Sequence, residues 1–225
     1  MNSKWKSRYA WISRLLDLDF SADFLASKYL SERIEMSIDD LPSIGKRAIV
    51  LGTGPSLEEF RGGKGKIVAS DGSAKFLMER GRVPDLVITD LDGLTPRFIR
   101  SLFEKGSEIV IHAHGDNLNR IKDLSKEIDL SNFFGTTQVL EMGNLFNPGG
   151  FTDGDRAFLI SLESGAEIIE MFGMDFGSIV GKYSKPWIRR ETRASERKMK
   201  KLKIAKKIIN DNLWRAKSVH FRRSR

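Results

Sequence analysis

Two aspartates separated by one residue, Asp90 and Asp92, closely follow a short apolar run in this chain of 225 residues. In an extended segment alternate side chains point to the same side, so both carboxylates would project together while Leu91 points into the core. Neighbouring carboxylates repel each other unless a cation lies between them, and Mg²⁺ prefers carboxylate oxygens together with water and substrate phosphates. The spacing therefore predicts a magnesium site, with helix capping or loop hydrogen bonding as the alternative.

Two further aspartates could reach the same site, because Asp71 and Asp116 each follow an apolar run of their own. If these runs are neighbouring parallel strands, the residues that follow them lie at one edge of the sheet. We expect four metal ligands: Asp71, Asp90, Asp92 and Asp116. We expect the catalytic residues to be Asp90, Asp92 and Asp116.

Two histidines, His112 and His114, alternate just before Asp116 and so share one side of an extended chain. Imidazole pairs often bind zinc and other transition metals. The chain has no cysteine and these histidines lie beside aspartates, so we favour contact with phosphate or substrate over zinc binding. Further along, Thr152 or Asp153 could cap the helix that follows; a metal or substrate role for Asp153 is the alternative.

A glycine-rich loop follows the first apolar run and consists of Gly52, Thr53, Gly54, Pro55 and Ser56. Glycine permits close approach of the backbone to a ligand, and proline is favoured in the first turn of a helix. The free N–H groups at a helix start bind anions, so we expect the loop to bind a phosphate or ribose. A plain tight turn is the alternative.

The elements that must position these residues are six short apolar runs, most of them about 20 residues apart along the chain. They are Ala48–Leu51, Ile67–Ala69, Leu86–Ile88, Ile109–Ile111, Phe133–Phe134 and Ile168–Phe172. Short, almost continuously apolar runs with helical segments between them indicate buried parallel strands. The sequence predicts an α/β, Rossmann-like, mainly parallel sheet with helices on both faces and ligands at the carboxyl ends of its strands.

The chain divides into three parts. Residues 1–42 form a helical, amphipathic N-terminal segment, which we interpret as packing that covers the main domain. Residues 43–180 form the α/β nucleotide-binding catalytic domain. Residues 181–225 form a basic loop and a helix that should extend to about Ala216.

The basic charge of the protein is concentrated at its C-terminus. Residues 185–225 contain 16 Lys/Arg against 3 Asp/Glu, in a chain with a net charge of +8. Three interpretations stay open: a solvated helix docked by its apolar stripe, a cationic flap over bound phosphates, or a surface for nucleic acid or anionic membranes. We do not expect nucleic acid to be the partner, despite the basic tail.

Composition excludes several classes of protein. A chain without cysteine has no disulfides, no thiolate zinc site and no cysteine nucleophile. No signal peptide is recognisable and no apolar stretch is long enough to span a membrane, so we expect a soluble cytoplasmic protein, with a homo-oligomer left open.

The acidic motif resembles one in thiamine pyrophosphokinases. The segment Pro84–Gly93 is similar to their Pro-Asp-x-x-x-x-Asp-x-Asp-Ser motif, Ser70–Gly72 to their Ala-Asp-Gly, and Phe151–Asp153 to their helix start. The sequence departs from that family in two ways. Residue 93 is glycine instead of serine, and a basic segment of only about 45 residues follows the core in place of their β-rich C-terminal domain.

The resemblance to archaeal 6-hydroxymethyl-7,8-dihydropterin pyrophosphokinases is closer. It rests on Gly52–Leu57, His112–Asn117 and Gly173–Phe176. It implies transfer of pyrophosphate from ATP, with Mg²⁺, to the hydroxymethyl group of a pterin, with release of AMP, in methanopterin or folate biosynthesis. The same domain also resembles bacterial proteins linked to flagellin glycosylation.

The acidic edge and the resemblance together imply a role for each candidate residue. Those expected to bind ATP are Gly52, Thr53, Gly54, Pro55, Ser56, Asp71, Gly72 and Thr137. Those expected to contact the pterin or other substrate are His112, His114, Gln138, Asp153 and Asp175. Two other functions remain as alternatives: a metal-dependent glycosyltransferase that uses a nucleotide sugar, and a non-catalytic nucleotide- or RNA-binding module.

Overall fold

The computed structural model describes residues 3–222, which contain seven helices and nine strands. The helices are α1 (Ser3–Leu16), α2 (Phe20–Ser31), α3 (Ser73–Met78), α4 (Pro96–Glu104), α5 (Leu118–Glu127), α6 (Asp153–Glu163) and α7 (Glu196–Asn210). The strands are β1 (Arg47–Leu51), β2 (Lys66–Ser70), β3 (Leu86–Thr89), β4 (Glu108–Ala113), β5 (Phe134–Thr137), β6 (Ile168–Phe172), β7 (Ile179–Val180), β8 (Thr192–Arg193) and β9 (Ser218–Phe221).

Seven strands form one parallel sheet in the order β5-β4-β3-β2-β1-β6-β9. The predicted α/β fold is confirmed, and each of the six apolar runs contributes to a strand. The weak run Phe133–Phe134 lies at the start of β5. Strands β7 and β8 form a separate antiparallel pair, which the sequence analysis did not predict.

Helices cover both faces of the sheet, as predicted. Successive residues of β1 point to opposite faces: Ala48 and Val50 pack with α1, α6 and α7, whereas Ile49 and Leu51 pack with α2, α3, α4 and α5. The N-terminal segment therefore contributes one helix to each face, and residues 17–19 connect the two helices.

The C-terminal part of the chain differs from its prediction. Helix α7 ends at Asn210, before the expected Ala216, and β9 then pairs in parallel with β6. The apolar stripe of α7 does dock onto the core, since Ile204, Ile208 and Ile209 are buried. The basic tail is thus an integral part of the fold, because it supplies the last strand of the sheet.

The strand order reverses between β1 and β6, since the chain proceeds outwards from β1 to β5 and then returns to the other side of β1. In parallel α/β sheets, ligands bind outside the carboxyl ends of the strands at such a reversal. Within residues 3–222, no helix is long and apolar enough to span a membrane.

Candidate active site

A cavity of about 390 Å³ lies at the carboxyl ends of the central strands. Its walls include the residues that follow the strands, such as Gly52 after β1, Asp71 after β2, Asp90 after β3 and Gly173 after β6. The first turn of α6, the connection between α1 and α2, and one side of α7 complete it.

Three carboxylates meet in this cavity, from Asp71, Asp90 and Asp153. One oxygen from each lies within 4.8 Å of the others. The buried Oδ1 of Asp153 has no hydrogen-bond partner among the described residues. A buried carboxylate oxygen without a partner is costly, and three converging carboxylates suit Mg²⁺, so these residues fit a divalent cation. We call Asp71, Asp90 and Asp153 the acidic trio.

The electrostatics of the trio also favour a cation. Burial, together with the charges of Asp90 and Asp92, raises the pKa of Asp71 to about 7. Burial and the charge of Asp90 raise the pKa of Asp153 well above its ordinary value. A bound cation would favour the ionised form of both carboxyls, because it supplies the missing opposite charge.

Asp90 is the member of the trio that ionises most readily. Burial raises the pKa of Asp90, but the hydrogen bond from His114 and the charge of Lys185 outweigh burial and hold that pKa below its ordinary value. His114 Nε2 lies 3.4 Å from Asp90 Oδ2, and His114 Nδ1 accepts a hydrogen bond from the Asp116 backbone N–H. The histidine therefore presents an Nε2–H to Asp90 and orients its carboxylate.

The motif Asp90-Leu91-Asp92 forms a turn, so the predicted extended geometry is wrong. Leu91 has φ +68° and the Asp92 N–H donates to Asp90 Oδ1 at 3.0 Å. Leu91 is buried in the core, as expected. Asp71 is also left-handed, with φ +46°, and such conformations cost about 1–3 kcal/mol each and concentrate at functional sites.

The other two expected metal ligands lie beside the acidic trio. Asp92 forms an ion pair with Lys185, although its charge still acts on Asp71. Asp116 is exposed on the wall of the cavity. The structure thus brings Asp71 and Asp90 together, as predicted. It adds Asp153, which was expected to bind substrate. Asp92 and Asp116 lie outside the group.

His112 has a different environment from His114. It is buried between Arg156 Nη2, 3.3 Å from His112 Nε2, and Thr136 Oγ1, 3.4 Å from His112 Nδ1. Burial, followed by the charges of Arg156 and His114, lowers the pKa of His112 well below its ordinary value, so its imidazole is neutral. Both ring nitrogens of each histidine already have partners, which argues against the zinc alternative.

Arg156 is a buried residue that sequence reasoning missed. Its guanidinium contacts the carbonyl oxygens of Thr137 and Gly150 as well as His112. A fully buried arginine is rare, and it holds the first turn of α6 against the end of β5. Nothing in the sequence distinguished it from a surface arginine.

The glycine-rich loop after β1 is bonded to the loop after β6. The N–H groups of Gly52 and Gly54 donate to the carbonyl oxygens of Phe172 and Gly173, both at 2.8 Å. A side chain at Gly52 would lie 2.4 Å from the Gly173 carbonyl oxygen, so the two backbones require glycine to approach this closely.

The expected anion site at the start of the following 3₁₀ turn, Pro55–Glu59, already contains a carboxylate. The Ser56 N–H donates to Asp175 Oδ2 at 3.0 Å. Phosphate binding through the N–H groups of Gly52, Gly54 and Ser56 is therefore not supported. The stretch Gly52–Gly54 and Asp175 still line the cavity, whereas Pro55 and Ser56 do not.

Two other residues expected to bind nucleotide serve as packing contacts. Gly72 lies under the chain at Tyr183, whose carbonyl oxygen would be 1.9 Å from a Cβ at position 72. The Thr137 hydroxyl is buried against the Ser27 hydroxyl of α2, with 2.7 Å between the oxygens. Neither residue lines the cavity.

The position of Asp71 accounts for the glycine at 93, where the thiamine enzymes have serine. A Cβ at Gly93 would lie 2.0 Å from Asp71 Oδ2. A serine at this position would therefore displace the Asp71 carboxylate from the acidic trio, and the glycine is required by the position of Asp71.

The basic C-terminal segment extends lysines into the cavity. Lys185 contacts Asp92, and Lys198 and Lys201 of α7 line the wall. Burial, followed by the charges of Lys185 and Lys201, lowers the pKa of Lys198. No hydrogen bond or ion pair to the Lys198 ammonium occurs among the described residues. The geometry favours the interpretation of this segment as a cationic flap, although its helix is docked as well.

The N-terminal segment packs against the main domain, as expected, and it also lines the cavity. Asp17, Asp19 and Asp23 all line the cavity. Asp23 is only 3% exposed and accepts hydrogen bonds from the side chains of Tyr9 and Gln138. The amphipathic pattern of α2 gave no sign that one of its buried positions is a carboxylate facing a cavity.

Comparisons with known proteins agree with this geometry. The family described as "6-hydroxymethylpterin diphosphokinase MptE-like" matches residues 26–181. A Pyrococcus furiosus protein named 6-hydroxymethyl-7,8-dihydropterin pyrophosphokinase is 40% identical over 97% of each chain. Proteins of the same name from Methanocaldococcus jannaschii and Methanothermobacter thermautotrophicus are each 36% identical, over 86% and 89% of this chain and 86% and 91% of theirs.

One solved structure shares the fold. The glycosyltransferase titled MAf, from Magnetospirillum magneticum, superposes with a TM-score of 0.52 over 91% of this chain and 39% of its own, at 15% sequence identity. An identity this low indicates a common fold only. The extent of the family match and of the archaeal similarities is decisive: the chain belongs to the family of MptE-like 6-hydroxymethylpterin diphosphokinases.

Proposed function

We propose that this protein transfers pyrophosphate from ATP to 6-hydroxymethyl-7,8-dihydropterin and releases AMP. This is the activity of a 2-amino-4-hydroxy-6-hydroxymethyldihydropteridine diphosphokinase, in methanopterin or folate biosynthesis. Family membership and the names of the archaeal relatives support the reaction. The observation that carries the proposal is the acidic trio, placed at the carboxyl edge of the sheet with lysines beside it.

The acidic trio would hold Mg²⁺. Bound there, Mg²⁺ supplies positive charge to the ATP phosphates during an in-line displacement. His114 keeps Asp90 oriented, and the packing of Gly93 against Asp71 fixes the second carboxylate. Asp153, at the first turn of α6, closes the group from the opposite side of the cavity.

The lysines of the C-terminal segment would bind the phosphates. Lys198 forms no ion pair among the described residues, although the charges of Asp153 and Asp92 act on it, and Lys185 neutralises Asp92. A phosphate group would give Lys198 a direct anionic contact and would draw Lys185 away from Asp92. Asp92 would then be free to join the acidic trio, which would restore the role that its spacing from Asp90 predicted.

The reaction itself requires few protein groups. The pterin hydroxyl oxygen forms a bond to the β-phosphorus of ATP, the bond from that phosphorus to the α-phosphate oxygen breaks, and AMP leaves with the electron pair. The hydroxyl proton passes to solvent. The protein contributes by positioning both substrates and by neutralising charge, which is how most phosphoryl transfer is catalysed.

The proposed partners are small molecules, ATP and a pterin alcohol, and not nucleic acid. The lysines that could suggest an RNA surface, Lys185, Lys198 and Lys201, line the cavity. A cysteine-free protein that handles a reduced pterin suits the reducing cytoplasm, which is our proposed location.

The decisive experiment measures AMP formation from ATP and Mg²⁺ with 6-hydroxymethyl-7,8-dihydropterin, with thiamine, and without acceptor. The Asp90→Asn/Asp92→Asn variant tests the metal site, and Asp123→Asn, an exposed carboxylate on α5, is the matched control. We expect pterin-dependent AMP that is lost only in the double variant. Absence of AMP with folded wild-type protein, or release of nucleotide from a nucleotide sugar, would reject the proposal.

A further inference from the structure

The cavity has two ends, separated by the acidic trio. Asp71 and Asp90 follow β2 and β3, which lie in the middle of the sheet. On one side lie β1 and β6, with the strand reversal and the glycine loops. On the other side lie β4 and β5, whose carboxyl ends are covered by α2. The strand order thus gives the cavity a β1–β6 side and a β4–β5 side, with the acidic trio between them.

The β4–β5 end contains a carboxylate held by three donors from different parts of the chain. Asp23 Oδ2 accepts from Gln138 Nε2 at 2.7 Å and from the Tyr9 hydroxyl. Asp23 Oδ1 accepts from the Gly115 N–H at 2.7 Å. The contacts come from α1, from the loop after β4 and from the residue after β5, so the carboxylate is rigidly positioned where it lines the cavity.

Two acceptor positions in this network have no protein donor. A carboxylate oxygen can accept two hydrogen bonds, and Asp23 Oδ1 receives one. The Gln138 amide points its Nε2 at Asp23, so its Oε1 is an acceptor that no donor among the described residues fills. Both side chains are only 3% exposed and both line the cavity. Both acceptors are therefore open to the cavity, where a ligand that carries two neighbouring donors can replace water as their partner.

The chemistry of these acceptors favours the pterin over ATP. A pterin ring presents its 2-amino group and its N3–H side by side as donors, and carries no charge. A triphosphate would be repelled by the buried Asp23 carboxylate, which lies at this end and forms no ion pair among the described residues; the arginine of the C-terminal segment that reaches the N-terminal segment, Arg197, donates to the Leu16 carbonyl oxygen.

We propose that α2 closes the pterin-binding end of the cavity, where Asp23 and Gln138 accept hydrogen bonds from the 2-amino group and N3–H of the ring. This rests on the proposed function and adds to it the two residues that select the acceptor. Gln138 was a candidate from the sequence; Asp23 was not. Tyr9 and Gly115 act through Asp23 as positioning residues.

The test compares Asp23→Asn with the wild type in the AMP assay. The asparagine keeps the shape of the side chain but replaces one acceptor with a donor. We expect KM for the pterin to rise at least about tenfold, with KM for ATP unchanged within twofold. Asp123→Asn, an exposed carboxylate on α5 outside the cavity, is the matched control and should leave both KM values as they are.

A second acceptor alcohol separates recognition from a purely structural role. In the analogue with a 2-oxo group in place of the 2-amino group, the ring presents an acceptor oxygen to the acceptor oxygens of Asp23 and Gln138. We expect the wild type to prefer the 2-amino compound by at least about 100-fold in kcat/KM, because a site built to hydrogen-bond a donor rejects the analogue that lacks it. Asp23→Asn should narrow this preference at least tenfold, whereas a structural defect would lower kcat/KM for both compounds equally.

Gln138→Met keeps the assignment testable if Asp23→Asn does not fold, since methionine preserves the side-chain length and removes the oxygen. It should also raise KM for the pterin without changing KM for ATP. Folded variants that keep both the wild-type KM and the 2-amino preference would overturn the assignment of this end to the pterin. A wild-type protein without pterin-dependent AMP would reject the proposed function instead.

Discussion

The N-terminal and C-terminal segments flank the same central domain and line the same cavity, yet they contribute charges of opposite sign. The negative charge is held in place by hydrogen bonds within the protein, whereas the positive charges are available to a ligand. The N-terminal segment contributes Asp23, a buried carboxylate held by three donors. The C-terminal segment contributes Lys198, which has no partner among the described residues, and Lys185, paired with a carboxylate of the metal site. The first end is preorganised for a neutral ligand, while the second requires an anion.

This difference has an energetic basis. Fully bonded buried groups rigidify a site and need no rearrangement when a ligand binds. A partly buried ammonium beside other ammonium groups is electrostatically unfavourable without an anion. Binding of an anion relieves this repulsion, and the relief contributes to the free energy of binding. The comparison suggests that the N-terminal segment determines which acceptor is used, and that the C-terminal segment couples phosphate binding to completion of the metal site.

The largest effect should come from the acidic trio itself. Asp153→Asn removes one carboxylate of the acidic trio, and we expect AMP formation to fall roughly 10³-fold, since a catalytic cation contributes several kcal/mol to the transition state. Mg²⁺ should raise the melting temperature of the wild type and not that of the variant. Wild-type activity in Asp153→Asn would place the metal elsewhere, and Asp123→Asn again controls for loss of a surface charge.

The next largest effect should separate ATP from the pterin. Lys198→Ala removes the unpaired ammonium, and we expect KM for ATP to rise about 10- to 100-fold, because a hydrogen bond to a charged group contributes about 1.5–3 kcal/mol. KM for the pterin should stay unchanged. Lys206→Ala, an exposed lysine on the same helix, is the matched control. An equal rise in both KM values would show that the two ends of the cavity are not independent.

A smaller effect should test the proposed exchange at Lys185. Lys185→Met frees Asp92 and removes a positive charge from beside the acidic trio, so Mg²⁺ should bind about fivefold more tightly without ATP, for a change of about 1 kcal/mol, the upper value for a solvent-accessible ion pair. Calorimetric titration of the ATP-free protein measures this. Weaker Mg²⁺ binding in the variant would mean that Lys185 supports the site and does not compete for it.

Much of the fold followed from local patterns, and the exception has a physical reason. Five of the six predicted strands lie inside the parallel sheet and are continuous apolar runs because both of their faces are buried, whereas β5, with the weakest run, lies at one edge. Strand β9 lies at the other edge and contains only two apolar residues, Val219 and Phe221, which alternate with Ser218 and His220. Its pairing with β6 depends on tertiary contacts that no local pattern records.

The site was predictable only in part, because sequence spacing does not reveal which strand ends are neighbours. Asp90 and Asp71 were assigned to the metal from their positions after strands. Asp153 belongs with them because α6 begins above β2 and β3, although it lies some sixty residues further along the chain. Asp23 and Lys198 looked like ordinary residues of amphipathic helices, and only the packing of those helices brings both to the cavity.

The smallest effect on catalysis, and the most specific test of preorganisation, should come from Tyr9→Phe. The variant leaves the buried Asp23 carboxylate with two donors, and we expect a loss of about 1 kcal/mol in the free energy of unfolding at pH 7, with only a small rise in KM for the pterin. Tyr29→Phe, whose hydroxyl pairs with the Ser125 hydroxyl in a partly buried position, should cost less. Urea unfolding measures both.

Tyr9→Phe should also change how the stability of the protein depends on pH. Burial, followed by the hydrogen bond and charge of Asp23, raises the pKa of Tyr9 far above 10, whereas in the unfolded chain the phenol ionises near pH 10. Above pH 10 the unfolded state therefore holds fewer protons than the folded state, and stability falls by up to about 1.4 kcal/mol per pH unit from this group. Tyr9→Phe should lack this part of the loss, so its stability relative to the wild type should improve between pH 10 and 11. If the stabilities of the wild type and Tyr9→Phe fall in parallel above pH 10, the phenol is not held against Asp23. The N-terminal end of the cavity would then not be preorganised.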